Sequence, residues 1–110
     1  MSLYADYVKE RTSRSILETE YGFVVFSYEG EDYTLFIHEL FVRKESRRRG
    51  HGARMIEELI LDAGKRGAQQ IVGCVDPRAL NADESMKIIL AYGLKPYGIH
   101  GEFVAFGRKI

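Results

Sequence analysis

The spacing of apolar residues changes along this chain, and each change predicts a new element. Residues 21–28 are aromatic and β-branched, which predicts a strand, and Gly30, Glu31 and Asp32 predict a hairpin turn after it. Residues 33–43 form a second predicted strand that is apolar almost throughout. A run of this kind is typical of a strand in the middle of a sheet that is covered on both faces.

Helical spacing follows the second predicted strand. Residues 53–66 predict an amphipathic helix, whose apolar face comprises Met55, Ile56, Leu59, Ile60 and Ala63. Lys65 and Arg66 suit the negative end of the helix dipole, and Gly67 suits a left-handed stop. Residues 83–91 predict a second, shorter helix.

The remaining segments predict a helix at the N-terminal end and three more strands. Residues 4–18 are rich in helix formers. The side chains expected to face inward from this helix are Tyr4, Tyr7, Val8 and Leu17. Residues 71–75, 97–99 and 102–109 predict strands, and the first of them completes a strand–helix–strand unit with a right-handed crossover. The predicted fold class is α/β with a mixed (α+β) sheet, in a single domain of residues 1–110.

Composition narrows the function classes. The chain has 16 basic and 16 acidic residues, and this zero net charge argues against a dedicated nucleic-acid binder. Cys74 is the one cysteine, so no disulfide and no cysteine-based metal site is predicted, and its apolar neighbours predict a buried side chain. No long apolar stretch and no signal-peptide pattern is present, which predicts a cytoplasmic protein without a membrane partner. The small core makes a homodimer a reasonable expectation.

The segment with the clearest chemistry lies between the second strand and the amphipathic helix, and it reads Arg47, Arg48, Arg49, Gly50, His51, Gly52 and Ala53. Its two glycines let a ligand approach the main chain closely. The start of the helix adds backbone N–H groups without helical partners and the partial positive charge of the dipole. Together with the arginines, these donors predict a site for a compact anion such as a pyrophosphate.

This segment resembles the acetyl-CoA loop of the GNAT superfamily of N-acetyltransferases. The resemblance rests on the spacing Arg47-x-x-Gly50-x-Gly52, on the apolar strand before it and on the amphipathic helix after it. It implies a central mixed sheet with a β-α-β core that binds acetyl-CoA, and a shortened N-terminal part. It also implies transfer of an acetyl group by direct attack of an amine on the thioester. The sequence does not identify that amine, which belongs to a small molecule or a protein.

The resemblance further implies a pose for acetyl-CoA. The backbone N–H groups of residues 48–53 would hold the pyrophosphate, and the main chain of Leu40, Phe41 and Val42 would lie along the pantetheine arm. Two parallel strands would separate near the thioester, with Leu40 on one side and Val75 on the other. The N–H of Leu40 would then stabilise the oxyanion of the tetrahedral intermediate.

The implied reaction needs a general base, because an ammonium acceptor must first lose a proton. Glu39 is the first candidate, since it lies beside the expected thioester. His38, with an ordinary pKa of about 6.5, is the second, and Asp76 is the third. Strict alternation along the strand predicts that His38 and Glu39 point to opposite faces of the sheet.

The late helix departs from the family pattern, which often has an asparagine and, further on, a tyrosine that protonates the departing thiolate. Ile89 occupies the tyrosine position here, and Asn81 lies one residue from the asparagine position, where it is a candidate for binding the cofactor. Ser85 and Tyr92 fall on the same helical face as Ile89, so they are candidates for the role of the tyrosine.

Two other function classes stay open. The missing tyrosine and the shortened N-terminal part favour a module that binds acyl-CoA without catalysis. The arginine cluster favours a small nucleic-acid-associated domain, whose binding would weaken steeply with salt. Release of free CoA thiol in the presence of an amine would separate the transferase from the module.

Overall fold

A computed structural model describes residues 3–30, 33–75, 78, 82–91, 93–100 and 103–110. Its helices and strands, in chain order, are α1 Leu3–Thr12, β1 Ser15–Glu18, β2 Gly22–Glu29, β3 Thr34–Val42, α2 His51–Lys65, β4 Gln70–Val75, α3 Ala82–Ala91, β5 Lys95–His100 and β6 Phe103–Lys109, with a 3-10 turn at Lys44–Ser46. None of the helices among these residues is long and apolar enough to cross a membrane.

The strands form one mixed sheet in the order β1-β2-β3-β4-β6-β5. β3 and β4 are connected by α2 and pair in parallel, and the other neighbouring strands are antiparallel. The mixed α/β class and the strand–helix–strand unit predicted from the sequence are therefore confirmed.

One face of the sheet packs against α2 and α3. From α2, Met55, Ile56 and Leu59 are almost fully buried, and they join Leu35 of β3 and Ile71 of β4 in one core cluster. Each such side chain contributes roughly 1.5–3 kcal/mol through removal of its apolar surface from water. The apolar face predicted for this helix is confirmed, and it fixes α2 across the β3–β4 pair.

The other face packs against α1, which differs from the predicted helix in its orientation. Its buried residues are Ala5 and Val8, whereas Tyr4 and Tyr7 are exposed. Tyr4 still contacts Phe23 of β2, with its ring edge toward that ring at a centroid distance of 5.8 Å. The prediction that both tyrosines face inward was wrong, whereas that for Val8 is confirmed, because the inward face of the helix is the one that carries Ala5 and Val8, three residues apart.

The first helix also ends earlier than predicted. The Thr12 hydroxyl donates a hydrogen bond to the carbonyl of Val8 at 2.6 Å, and Ser13 takes a left-handed φ of 59°. Ile16 and Leu17 then pair with Val25 and Val24 of β2, so they lie in a strand. Pairing with β2 overrides the helix propensity of this segment, a tertiary effect that local composition does not contain.

Cys74 is exposed, which corrects the prediction that it is buried. Along β4 its neighbours Gly73 and Val75 are buried, and Val75 belongs to the core cluster under α2. Alternation along the strand turns Cys74 to the opposite face. Val72, on the same face as Cys74, is buried, so the exposure of Cys74 is local to the end of β4 where β3 no longer pairs with it.

Candidate functional site

A cleft opens where β3 and β4 separate. Their parallel pairing ends at Ile37 and Gly73, although β3 continues to Val42 and β4 continues to Val75. The cleft between the separated ends is small and partly open to solvent. Leu40 lines one side of it and Val75 lines the other. This is the separation that the family resemblance implied.

A β-bulge in β3 marks the point where the cleft begins. Ile37 lies opposite Phe26 of β2 and Glu39 lies opposite Val25, so His38 is an extra residue in the ladder. A bulge of this kind bends the strand and shifts the alternation of its side chains by one position. As a result Ile37 and Leu40 both pack against the core under α2.

The bulge also places His38 and Glu39 on the same face of the sheet. The ring of His38 contacts Ser27, and Glu39 lies opposite Val25, two residues of β2 that share the face away from α2. The prediction that the two candidate bases point to opposite faces was therefore wrong. The inserted residue removes the strict alternation on which it depended.

His38 is held by polar and aromatic contacts. Its Nε2 lies 2.7 Å from the hydroxyl oxygen of Ser27, and its ring stacks on Phe36 with a centroid distance of 6.2 Å. Ser27 in turn donates a hydrogen bond to Oε2 of Glu29 at 3.0 Å. Burial lowers the pKa of His38 below its ordinary value, and the charge of Arg14 lowers it further. At neutral pH the imidazole is therefore mostly uncharged and able to accept a proton.

The turn before α2 has the backbone geometry of an anion site. Arg48 has a φ of 63° and Gly50 a φ of 83°, both in the left-handed region. Gly50 is the N-cap of α2, and because it has no side chain it provides no acceptor for the N–H groups of the first turn. The first turn holds no acidic residue either. The positive end of the helix dipole thus faces outward beside the glycine, as an anion site requires.

Two arginines fasten this turn to the rest of the fold. Nε of Arg47 donates to the carbonyl of Val42 at 2.9 Å, and its guanidinium lies 5.8 Å from the ring centre of Phe41. Nη2 of Arg54 donates to the carbonyl of Arg49 at 2.9 Å. The turn is therefore held in place from both sides, toward the end of β3 and toward α2.

The remaining predicted residues of the turn lie on the same helix start. Gly52 is buried, while Ala53 is half-buried. The His51 ring stacks on Tyr21 at a centroid distance of 3.7 Å, and its Nδ1 lies 3.3 Å from Nη2 of Arg54. The structure thus brings all seven residues predicted for the anion site into one turn and the helix start that follows it.

The late helix contributes an aliphatic side chain to the cleft. Ile89 lines it, and its Cδ1 would lie 3.5 Å from a Cβ placed on Gly73. An isoleucine has no proton to give, so this position cannot act as a general acid. Ser85 lies on α3 without a described side chain, and the other candidates here, Asp76, Asn81 and Tyr92, fall outside the described residues.

Sequence reasoning missed Ser27 and Glu29. They are two residues apart on β2, which places them on one face, but only the register between β2 and β3 brings them to His38. The i, i+2 spacing of two polar residues in an apolar strand was the available signal. It did not reveal which residue of the next strand they would meet.

Known proteins share both the sequence pattern and the fold. The sequence profile of the family described as "Acetyltransferase (GNAT) domain" matches residues 7–90. No curated protein matches the chain in sequence.

Among solved structures, the PaiA N-acetyltransferase of Thermoplasma acidophilum in complex with coenzyme A is similar, with 14% identity, a TM-score of 0.75, and coverage of 94% of this chain and 66% of that one. An acetyltransferase of Bacillus subtilis in complex with CoA has 14% identity and a TM-score of 0.72, with coverage of 96% and 83%. An acetyltransferase of Thermus thermophilus has 15% identity and a TM-score of 0.75, with coverage of 96% and 70%. These likenesses establish the shared fold.

Proposed function

We propose that this chain, which belongs to the family of GNAT acetyltransferases, binds acetyl-CoA and transfers its acetyl group to an amine. The observation that carries the proposal is the arrangement along β3. The strand opens into a cleft at its bulge and then leads, within a few residues, to the anion-binding turn at the start of α2. A ligand with a diphosphate at one end and a reactive thioester at the other matches that arrangement.

In this proposal the main chain holds the cofactor. The N–H groups of residues 48–53 bind the pyrophosphate, with the dipole of α2 behind them. The pantetheine arm lies along the end of β3, from Val42 toward Leu40, where β4 no longer pairs with the strand. The two CoA-bound structures of the same fold, from Thermoplasma acidophilum and Bacillus subtilis, support this class of ligand.

The chemistry proposed for the cleft is a direct transfer. The lone pair of the amine forms a bond to the thioester carbon, the carbon–sulfur bond breaks, and CoA leaves as the thiolate. The N–H of Leu40 stabilises the oxyanion that forms on the carbonyl oxygen. The proton of the ammonium acceptor passes to a base in the bulge, where Glu39 and His38 share one face. The nitrogen loses its second surplus proton to solvent once it is bonded to the carbonyl carbon, and the thiolate takes its proton from solvent or from a residue other than Ile89.

A specific observation also supports a second candidate, an acyl-CoA-binding module without catalysis. The position at which the family often carries its acid is the aliphatic Ile89, which lines the cleft. A thiol is acidic enough to leave as a thiolate, and the thiol of cysteine, for comparison, has an ordinary pKa of about 8.5. The aliphatic residue therefore slows the departure of CoA without preventing it, which ranks the transferase first.

Calorimetric titration with CoA and acetyl-CoA, followed by a thiol-release assay, tests the proposal. The assay adds n-butylamine, benzylamine or a lysine-containing tetrapeptide to the protein with acetyl-CoA. Binding together with amine-dependent thiol release is the expected result. Binding without release by any of these amines would favour the module. Failure to bind CoA, with salt-sensitive binding of duplex DNA, would contradict both and favour the nucleic-acid hypothesis.

A further inference from the structure

Three polar side chains meet on the face of the sheet that points away from α2. Glu29 and Ser27 lie two residues apart on β2, and His38 occupies the bulge of β3 beside them. The Ser27 hydroxyl oxygen is 3.0 Å from Oε2 of Glu29 and 2.7 Å from Nε2 of His38. Glu29 is exposed, Ser27 is half-buried, and His38 lines the cleft. The three groups are close together, since Oε2 of Glu29 also lies 4.0 Å from Nε2 of His38.

The single proton of Ser27 fixes the direction of these hydrogen bonds. The hydroxyl donates to Glu29, since an ionised carboxylate can only accept. The Ser27 oxygen must then accept from His38, so Nε2 carries the ring proton. If Ser27 donated to His38 instead, its oxygen would face the carboxylate oxygen of Glu29 at 3.0 Å with no proton between them. The lone pair of the imidazole is therefore on Nδ1.

The charges around His38 suit a base at neutral pH. Burial is the largest cause that lowers its pKa, and Arg14 acts in the same direction. The carboxylates of Glu29 and Glu39 oppose this by raising it. The ring is thus mostly neutral before a proton arrives, and two carboxylates stabilise the imidazolium once it forms.

We infer that His38, Ser27 and Glu29 form a charge relay, in which Ser27 and Glu29 hold His38 as the base that takes the proton of the acceptor amine, an inference that rests on the proposed transferase function. Nδ1 of His38 takes the ammonium proton and the ring becomes an imidazolium. Nε2 keeps its own proton and its hydrogen bond to Ser27, and the carboxylate of Glu29, whose Oε2 lies 4.0 Å from Nε2, stabilises the positive charge. Nδ1 then gives the proton that it took up to the departing CoA thiolate or to water, so the ring returns to its starting tautomer and the protons balance over the cycle.

The relay assigns separate roles to the residues of the bulge. His38 is the catalytic base, Ser27 is a positioning residue that sets its tautomer, and Glu29 orients the Ser27 hydroxyl and stabilises the imidazolium. Glu39, which shares the face, supports the imidazolium by its charge alone. A purely structural role for Ser27 would instead leave the protonation of the ring unchanged when the hydroxyl is removed.

Nitrogen NMR of the protein without ligand tests the hydrogen-bond chain independently of activity. Uniformly 15N-labelled protein and its Ser27→Ala variant are compared at pH 8, with His38 assigned from a His38→Gln variant. The expected result is protonation at Nε2 in the wild type and a mixture of tautomers in Ser27→Ala. Ser15→Ala, which removes another strand hydroxyl that accepts from Lys9, is the matched control and should leave His38 unchanged. Nδ1 protonation in the wild type would overturn the relay.

Kinetics then test whether the relay is used. With acetyl-CoA and the amine of the panel that releases thiol fastest, His38→Gln should lower kcat about 10²- to 10⁴-fold, the usual contribution of a general base. Ser27→Ala should lower kcat at least severalfold with unchanged affinity for acetyl-CoA, and Ser27→Thr should restore it. Normal kcat in Ser27→Ala or His38→Gln would overturn the relay alone. Absence of acetyl-CoA binding or turnover in the wild type would overturn the transferase and, with it, the relay, whatever the NMR result.

Discussion

The turn before α2 and the bulge of β3 are two departures from regular backbone, and they are built in different ways. The turn uses left-handed conformations at Gly50 and Arg48. The bulge contains no glycine, and it consists of His38, an extra residue of β3 that has no backbone partner in β2. The turn therefore offers main-chain donors that are the same in every sequence able to form it. The bulge instead redirects side chains, so its chemistry depends on which residues it carries.

This difference separates what each part can recognise. Backbone N–H groups and a helix dipole bind a diphosphate whatever else is attached to it. The residues beside the bulge, by contrast, set the protonation and charge that an acceptor meets, through His38, Ser27 and two glutamates. The cofactor end is expected to resemble that of other GNAT acetyltransferases, and the acceptor end is expected to be particular to this chain.

Among the variants that test this comparison, deletion of Glu39 is expected to have the largest effect, because it removes the bulge and retains the core. Without this residue Leu35, Ile37, Leu40 and Val42 would alternate regularly, so all four would still face α2. We expect a folded protein whose acetyl transfer falls about 10²- to 10³-fold, the usual effect of losing an oxyanion donor. The rate of thiol release and the melting temperature are the measurements.

The matched control for this deletion is Glu39→Ala, which keeps the bulge and removes only the carboxylate. If the deletion variant transferred acetyl groups as fast as Glu39→Ala does, the bulge would be irrelevant to catalysis. If it lost transfer only because it unfolded, its melting curve would show that.

At the turn, charge is expected to matter more than shape. Gly50→Asp and Gly50→Asn share the strain of a left-handed residue, which both side chains tolerate better than most. A Cβ at this position would approach only the Arg54 guanidinium, at 3.8 Å. The aspartate adds a negative charge where the pyrophosphate is proposed to bind, so its Kd for CoA should exceed that of the asparagine variant about 10- to 100-fold. Equal Kd values in calorimetry would argue against an anion site at the turn.

The turn could be predicted from the sequence, whereas no local sequence signal marks the bulge. Gly50 and Gly52 stand next to a helix whose apolar period is regular, and both signals are local. The bulge has no glycine to mark it, and the residues 37–40 read as an ordinary strand. It follows from the register of β3 against β2, which also decides that Ser27 meets His38. Long-range pairing of this kind also converted residues 15–18 from the predicted helix into β1.

A smaller effect is expected from Tyr28→Phe, which touches neither the turn nor the bulge. The Tyr28 hydroxyl donates to Asp62 of α2 at 3.0 Å, and Arg66 donates to the same oxygen at 2.8 Å. Burial and the hydrogen bond to Asp62 raise the pKa of Tyr28 to about 12, so the hydroxyl stays protonated as a donor. Its loss should lower the free energy of unfolding by about 1 kcal/mol at pH 7. Urea denaturation measures this, and CoA affinity should not change.

The same contact predicts a pH dependence with a definite sign. The hydrogen bonds from Tyr28 and Arg66 lower the pKa of Asp62 in the folded protein. The stabilisation is therefore present above the unfolded value of about 3.9 and is lost as pH falls through the folded value. The difference between Tyr28→Phe and the wild type should shrink in acid. A difference that stayed constant from pH 7 to pH 3 would show that packing of the ring, rather than the bond to Asp62, is responsible.

The smallest expected effect is a shift in the acid limb of the pH–rate profile, which is the range of low pH where acetyl transfer slows. This shift tests whether the His38 side chain in the bulge acts as the base. A neutral His38 is needed to accept the proton, so transfer slows as pH falls through its pKa. Arg14 lowers that pKa and Glu29 raises it. Arg14→Gln should therefore move the limb to higher pH, and Glu29→Gln should move it to lower pH. Proton NMR of the His38 ring should report the same two opposite shifts without substrate. If the pKa of the His38 ring shifted and the acid limb of the pH–rate profile did not, a different group would limit the rate in acid, and Glu39 would then be the base to test.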